Sequence, residues 1–147
     1  MFRIPVLFVI LAAVCSSTSY AQWSRFRGPD GMGISDETDL PVTWSDSENI
    51  QWKTELPGPG SSSPVLTDTH LFVTCYSGYG TGNSGSPERM RRHLVCLDRK
   101  SGAIAWSVDV AAEMPEDSYQ GYITEHGYAS STPVIDENRV YAFFGKT

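Results

Sequence analysis

SSSPVLTDTHLFVTC occupies residues 61–75, and SSTPVIDENRVYAFF occupies residues 130–144. Ser61 and Ser130, Ser62 and Ser131, Pro64 and Pro133, and Val65 and Val134 are identical pairs, and the chemistry repeats at most other positions. Each copy is a short apolar run, a polar turn and a second β-rich run. A further pair recurs, QWKTEL at 51–56 and AWSVDV at 105–110. Repeated β units bury their apolar faces by stacking on one another, so the expected fold is an all-β modular array.

Working outward from the first copy, the sequence reads as one complete four-strand unit. Ser62–Thr67 is the first expected strand, with Pro64 near its edge. Asp68 and Thr69 make the turn, and His70–Tyr76 is the second strand. Residues 77–87 carry Gly78, Gly80, Gly82 and Gly85 and read as a surface loop. Glu88–Arg92 is charged and long enough for one helical turn. His93–Asp98 and Ala103–Val110 complete the unit around a turn at 99–102. Upstream, Ile50, Trp52, Thr54 and Leu56 alternate as one face of a further strand, stopped by Pro57-Gly58-Pro59-Gly60. Residues 111–127 form a long connection into the second copy. No long helix is expected. Short strands with Trp and Gly recurring per unit are the cue for a β-propeller. Ser130 follows Ser61 by 69 residues, more than the ~40–45 of a minimal blade, and the two long connections account for the excess.

CLDRKSGAIAW at 96–106 carries a more specific signal. It resembles the tryptophan-docking motif of pyrroloquinoline-quinone-type propeller repeats through Asp98, Ser101, Gly102 and Trp106, with Cys96 and Ala103 departing from the usual residues. Asp98 and Ser101 suit hydrogen bonding within the turn, and Gly102 suits a positive φ. Trp106 is then expected to pack on a neighbouring blade, as Trp52 does in the preceding copy. The wider chain from Trp23 onward resembles exported quinoprotein-like propeller proteins of the BamB-like group. That resemblance implies four-stranded antiparallel blades in a seven- or eight-bladed ring. One whole blade and two partial ones would lie here, making this an N-terminal fragment truncated at its C-terminus.

Residues 1–21 read as a cleavable signal peptide: Arg3, then an apolar stretch from Ile4 to Val14, then small residues at Ser19 and Ala21. The expected domains are therefore this leader, an irregular segment at 22–48 and a partial propeller at 49–147. Localisation is periplasmic or extracellular, with no transmembrane span. Lys and Arg number 11 in all, Arg3 leaving with the leader, against 17 Asp and Glu. That acidic balance argues against nucleic acid and against an anionic membrane surface. Cys75 and Cys96 remain after cleavage. Export makes a disulfide conceivable, but two small buried residues is the preferred reading.

Chemistry is sparse. Glu125-His126-Gly127-Tyr128 leads into the second copy, where a carboxylate beside an imidazole is suited to acid–base work. The bland alternative, loop hydrogen bonding, is preferred because no nucleophile or metal set accompanies it. A ligand site, if built, is expected at a channel mouth from Glu125, His126, Tyr128, Ser61, Ser62, Ser130 and Ser131. Three other motifs carry little. Gly145-Lys146-Thr147 lacks the first glycine of a phosphate loop. The glycines at 78–85 lack strand–helix register. Met90-Arg91-Arg92-His93 reads as a solvated basic patch.

The leading functional expectation is a non-catalytic exported propeller that binds a protein or envelope component. An alternative is a quinone- and calcium-dependent alcohol or sugar dehydrogenase with catalytic residues beyond 147. No calcium loop or catalytic aspartate motif is recognisable, so neither a metal site nor a cofactor is assigned. A carbohydrate-binding module is a third reading, resting on Tyr76, Tyr79, Tyr119 and Tyr122 as exposed aromatics.

Overall fold

A computed structural model describes residues 23–82 and 85–145. The leader reading at 1–21 and the Lys146-Thr147 part of the phosphate-loop question lie outside these residues. The regular secondary structure of the described residues is almost all strand. β1 (Val65–Leu66), β2 (His70–Ser77), β3 (Arg91–Asp98) and β4 (Ile104–Ala111) form an antiparallel sheet in sequence order. β5 (Val134–Asp136) and β6 (Arg139–Tyr141) form a separate antiparallel hairpin. Among the described residues the one α-helix, α1, is a single turn at Ile123–His126, and a 3-10 turn spans Pro87–Arg89. No helix among the described residues is long and apolar enough to cross a membrane.

Strand register sorts the four-stranded sheet into two faces. Val65 pairs with Phe72, Phe72 with Cys96 and Cys96 with Trp106, so this row lies on one face. That face meets the β5–β6 hairpin: Val65, Phe72 and Cys96 pack with Ile135, and Leu94 and Val140 close the cluster. Val95, Leu97 and Cys75 belong to the other face, where Trp52 and Leu56 pack against them. The sheet is thus covered on one side by the 50–56 segment and on the other by the second sequence copy. The two cysteines sit on opposite faces and are free and buried. A cross-strand disulfide is ruled out by that register, since period-2 alternation points their sulfurs apart.

The copies touch at equivalent positions. The Ser63 amide donates to Thr132 Oγ1 at 3.1 Å, its partner 69 residues on. The Ser61 amide donates to the Ala129 carbonyl at 3.0 Å, and Thr74 Oγ1 donates to the Ser131 carbonyl at 3.1 Å. Trp23 and Ser24 join both copies. The Leu66 amide donates to the Trp23 carbonyl at 2.9 Å, and the Ile135 amide donates to the Ser24 carbonyl at 2.8 Å.

Three expected elements differ. The first strand is only two residues long, because residues 59–62 run along β2 without a regular ladder. Pro57, Pro59 and Pro64 have no amide to give. Instead the Tyr76 amide donates to the Pro59 carbonyl and the Thr74 amide to Ser62 Oγ, at 2.9 and 3.0 Å. A Cβ at Gly60 would stand 2.3 Å from the Thr74 carbonyl oxygen, so only glycine permits this approach. Residues 50–56 half-bury Trp52, Thr54 and Leu56 at alternate positions, but they join no ladder, and Ile50 is exposed. Side chains replace the ladder there: Gln51 Nε2 donates to Lys100 O, Trp52 Nε1 to Arg99 O and Thr54 Oγ1 to Gly102 O. Finally, the helical turn expected at 88–92 closes by Arg89, and Arg91 and Arg92 belong to β3.

Candidate functional site

The turn between β3 and β4 is built by Asp98. Its Oδ1 accepts from the Ser101 amide at 2.8 Å and from Ser101 Oγ at 2.6 Å. These bonds hold the Asp98 carboxyl below its ordinary pKa, the Ser101 hydroxyl being the main cause. Gly102 sits at φ +73°, and a Cβ there would lie 2.4 Å from Trp52 Cδ2. The Trp52 ring therefore lies flush on the bare glycine while its indole N–H donates to the Arg99 carbonyl at 3.0 Å. Asp98, Ser101, Gly102 and Trp52 come together as one structural joint. Trp106 is not part of this joint. It lies on the other face beside Phe72, with ring centroids 5.8 Å apart, and is 41% exposed.

At the far end of β2 the two long connections meet. Tyr76 and Tyr128 cross edge-to-face at 5.3 Å, and Tyr79 and Tyr119 flank Tyr128 at 5.9 and 6.1 Å. Hydroxyls tie the loops to one another. Tyr76 Oη donates to the Gly80 carbonyl at 3.1 Å, Tyr128 Oη to the Asp117 carbonyl at 2.7 Å, and Tyr79 Oη accepts the Tyr119 amide at 3.2 Å. Burial pushes the Tyr76 phenol up to about 12, and it raises the Tyr128 phenol as well. Tyr76 and Tyr128 are buried, so the reading of Tyr76 as an exposed aromatic is corrected: it anchors the loops. Tyr122 alone among the four tyrosines of the carbohydrate reading is largely exposed, its ring tilted against His126 at 4.4 Å between ring centroids.

The expected ligand residues divide between two cavities on either side of Gly127. Ser61, Glu125 and His126 line one of about 280 Å³ together with Tyr76 and Tyr119. Tyr128, Ser130 and Ser131 line another of about 180 Å³. Glu125 and His126 stand on α1 rather than on an extended lead-in. Ser62 joins neither cavity, because its Oγ is held by the Thr74 backbone.

Arg92, read from sequence as part of a solvated patch, and Glu116, which sequence reasoning passed over, line the second cavity. Arg92 Nη2 donates to Glu116 Oε2 at 2.6 Å, with both side chains almost wholly buried. Arg92 Nε and Nη1 are buried without a hydrogen-bond partner. The solvated-patch reading of 90–93 is therefore corrected at two positions, since Met90 is fully buried and Arg92 is 2% exposed. Strand alternation held the signal: period 2 places Arg92 on the face of Leu94 and Cys96. His93 lies on the opposite face, where its Nε2 stands 2.8 Å from Ser77 Oγ. Desolvation lowers the His93 pKa, opposed by Asp109 across the strand pair and aided by Arg91.

Among the described residues, no group of three His, Cys, Asp or Glu side chains gathers as a metal site. The chain matches no protein-family model, no curated protein and no solved structure.

Proposed function

We propose that this chain is part of an exported β-propeller that acts as a binding module, with recognition carried by its long loops. The observation that carries this reading is the docking of Trp52 on Gly102. Trp52 and Trp106 are equivalent in the repeated QWKTEL and AWSVDV segments. Trp106, Val108 and Val110 form an uncovered apolar stripe on β4, each at least 41% exposed. In this reading a following repeat supplies another Asp-x-x-Ser/Thr-Gly turn for Trp106, and repetition of the joint builds the ring. The tyrosine-tied loops then present cavities and the exposed Tyr122 at one end of the unit, where a rigid scaffold positions a binding surface.

The runner-up is a quinone-dependent dehydrogenase. The test uses the full-length protein supplied with pyrroloquinoline quinone and calcium, with dye reduction followed on alcohols and sugars. The binding reading expects no turnover above the free quinone. Sustained turnover would replace it with the oxidoreductase. A photocrosslinking residue at position 122, expressed in the exporting cell, is expected to capture one envelope protein or polymer repeatedly. Absence of any adduct there would remove the loop end as the recognition surface.

A further inference from the structure

β4 closes one edge of the four-stranded sheet, and among the described residues no strand pairs with its outer side. The opposite edge is guarded, because Trp23 bridges β1 at Leu66. All the residues of β4 are exposed, and none is a proline, lysine or arginine, the side chains that commonly blunt an open edge. The backbone groups of this edge follow from one bond. The Ala112 amide donates to the Met90 carbonyl, which makes these two a hydrogen-bonded pair. Antiparallel pairs alternate, so Val110, Val108 and Trp106 bond inward to β3. Ser107, Asp109 and Ala111 then turn their N–H and C=O groups outward. Residue 105 is passed over in the register with β3, so the regular stretch begins at Trp106.

The side chains along this edge read alike in both directions. Ala105-Trp106-Ser107-Val108-Asp109-Val110-Ala111 runs alanine, large apolar, short polar, valine, short polar, large apolar, alanine. Two such strands paired antiparallel about a two-fold axis at Val108 match at every position. Trp106 meets Val110 of the second copy, Val108 meets its own counterpart, and the Ser107 hydroxyl can donate to the Asp109 carboxylate. The apolar pairs fall at non-hydrogen-bonded positions, where cross-strand side chains come closest. Neighbouring registers fit less well. An axis at Asp109 sets two carboxylates face to face, and an axis at Ser107 draws residue 105 into the regular ladder. Arg91 Nε, 3.6 Å from Asp109 Oδ2, offsets the charge on each copy. We infer that β4 is a homodimerisation edge: two copies of this chain pair antiparallel about Val108 and join their four-stranded sheets into one of eight strands. This goes beyond the binding-module reading and does not depend on it. The joint proposed for Trp106 covers a face of β4, whereas pairing takes its backbone edge. Sustained dye-linked turnover would end that reading and leave the dimer measurable.

The experiment is sedimentation equilibrium on the full-length protein from micromolar to near-millimolar concentration, followed by crosslinking. The mass is expected to rise from one copy to two. Ser107→Pro removes an outward N–H and leaves the inward bonds to β3 intact, so dimerisation is expected to weaken tenfold or more. Ser107→Lys sets a cation opposite Asp109 of the second copy and is expected to strengthen it severalfold. The register is read by single cysteines under mild oxidation. In the dimer the two Val108 Cα atoms stand about 4.5 Å apart, within disulfide reach. The two Val110 Cα atoms are offset by four residues, about 13 Å, and lie beyond it. Val108→Cys is therefore expected to crosslink and Val110→Cys to stay single, with the wild-type chain as control because Cys75 and Cys96 are buried. A one-copy mass at every concentration would overturn the proposal and leave the edge to a different chain. A dimer indifferent to both Ser107 substitutions, or crosslinking by Val110→Cys in place of Val108→Cys, would also overturn it. If Ser107→Pro does not fold, Ser107→Lys and the two cysteine variants decide, since Ser107 is exposed.

Discussion

Gly102→Ala tests the joint between the 50–56 segment and the β3–β4 turn. Two separate penalties are built into this site. The first is backbone: at φ +73° an alanine pays about 1–2 kcal/mol for the left-handed conformation. The second is steric: a Cβ at 2.4 Å from Trp52 Cδ2 and 2.5 Å from Cε3 cannot coexist with the ring, and Trp52 must move. Overpacking of this kind costs roughly 1–3 kcal/mol. Displacement also strains the Trp52–Arg99 hydrogen bond, worth about 1 kcal/mol. The sum is about 3–6 kcal/mol in a Trp52 background. With Trp52→Ala already in place only the backbone part remains, about 1–2 kcal/mol. A double-mutant cycle in the full-length protein, read by urea denaturation and circular dichroism, isolates the difference. The expected coupling is at least 2 kcal/mol. An equal loss in both backgrounds would show that the ring does not rest on the glycine, and the repeat-joint argument would fall with it.

Trp106→Ala in the full-length protein is expected to cost as much as Trp52→Ala, roughly 3–5 kcal/mol for a covered Trp; a much smaller loss would mean no further turn covers it. Removing Glu116 as Glu116→Ala leaves a guanidinium buried alone and is expected to cost about 3–5 kcal/mol in thermal or urea unfolding. A change under 1 kcal/mol would show that Arg92 reaches solvent. Folding lowers the His93 pKa from 6.5, so near and below that value the unfolded chain binds more protons. Stability should then be full above about pH 6.5 and decline as pH falls through it. His93→Gln should flatten that slope in a melting series from pH 8 to 5, and an unaltered slope would remove His93 as its source. Cys75 and Cys96, whose thiols burial pushes up, should resist alkylation in the native state and show identical mobility with and without reductant.

Period-2 alternation and the turn residues made the four-strand unit readable before any coordinates, because register follows from which positions are apolar. The same alternation placed Trp52, Thr54 and Leu56 inward. It could not reveal that side-chain bonds to Arg99 and Gly102 would replace a ladder there, since those bonds depend on a turn some 48 residues away. The seven site residues suffered a different limit. Local spacing placed Glu125, His126 and Tyr128 near one another, but whether Gly127 divides or unites them is decided by tertiary packing. Arg92 was misjudged because its neighbours in sequence, Arg91 and His93, point the opposite way. A charged residue on an apolar face was visible in the strand pattern, but its partner Glu116 lies on a connection with no periodicity.

Trp23 and Ser24 give consecutive carbonyls to Leu66 and Ile135, the same position in each copy. A ribosome makes residue 24 well before residue 135, so the Ser24–Ile135 contact is among the longest in sequence separation between the described residues. Loop closure over such a span must await its distant partner, and contacts of this order form slowly. During synthesis the strands of the four-stranded sheet can pair before Ser24 meets Ile135. Residues 23 and 24 are therefore secured late, which makes capture of Ser24 by Ile135 a checkpoint on whether the second copy has arrived in register.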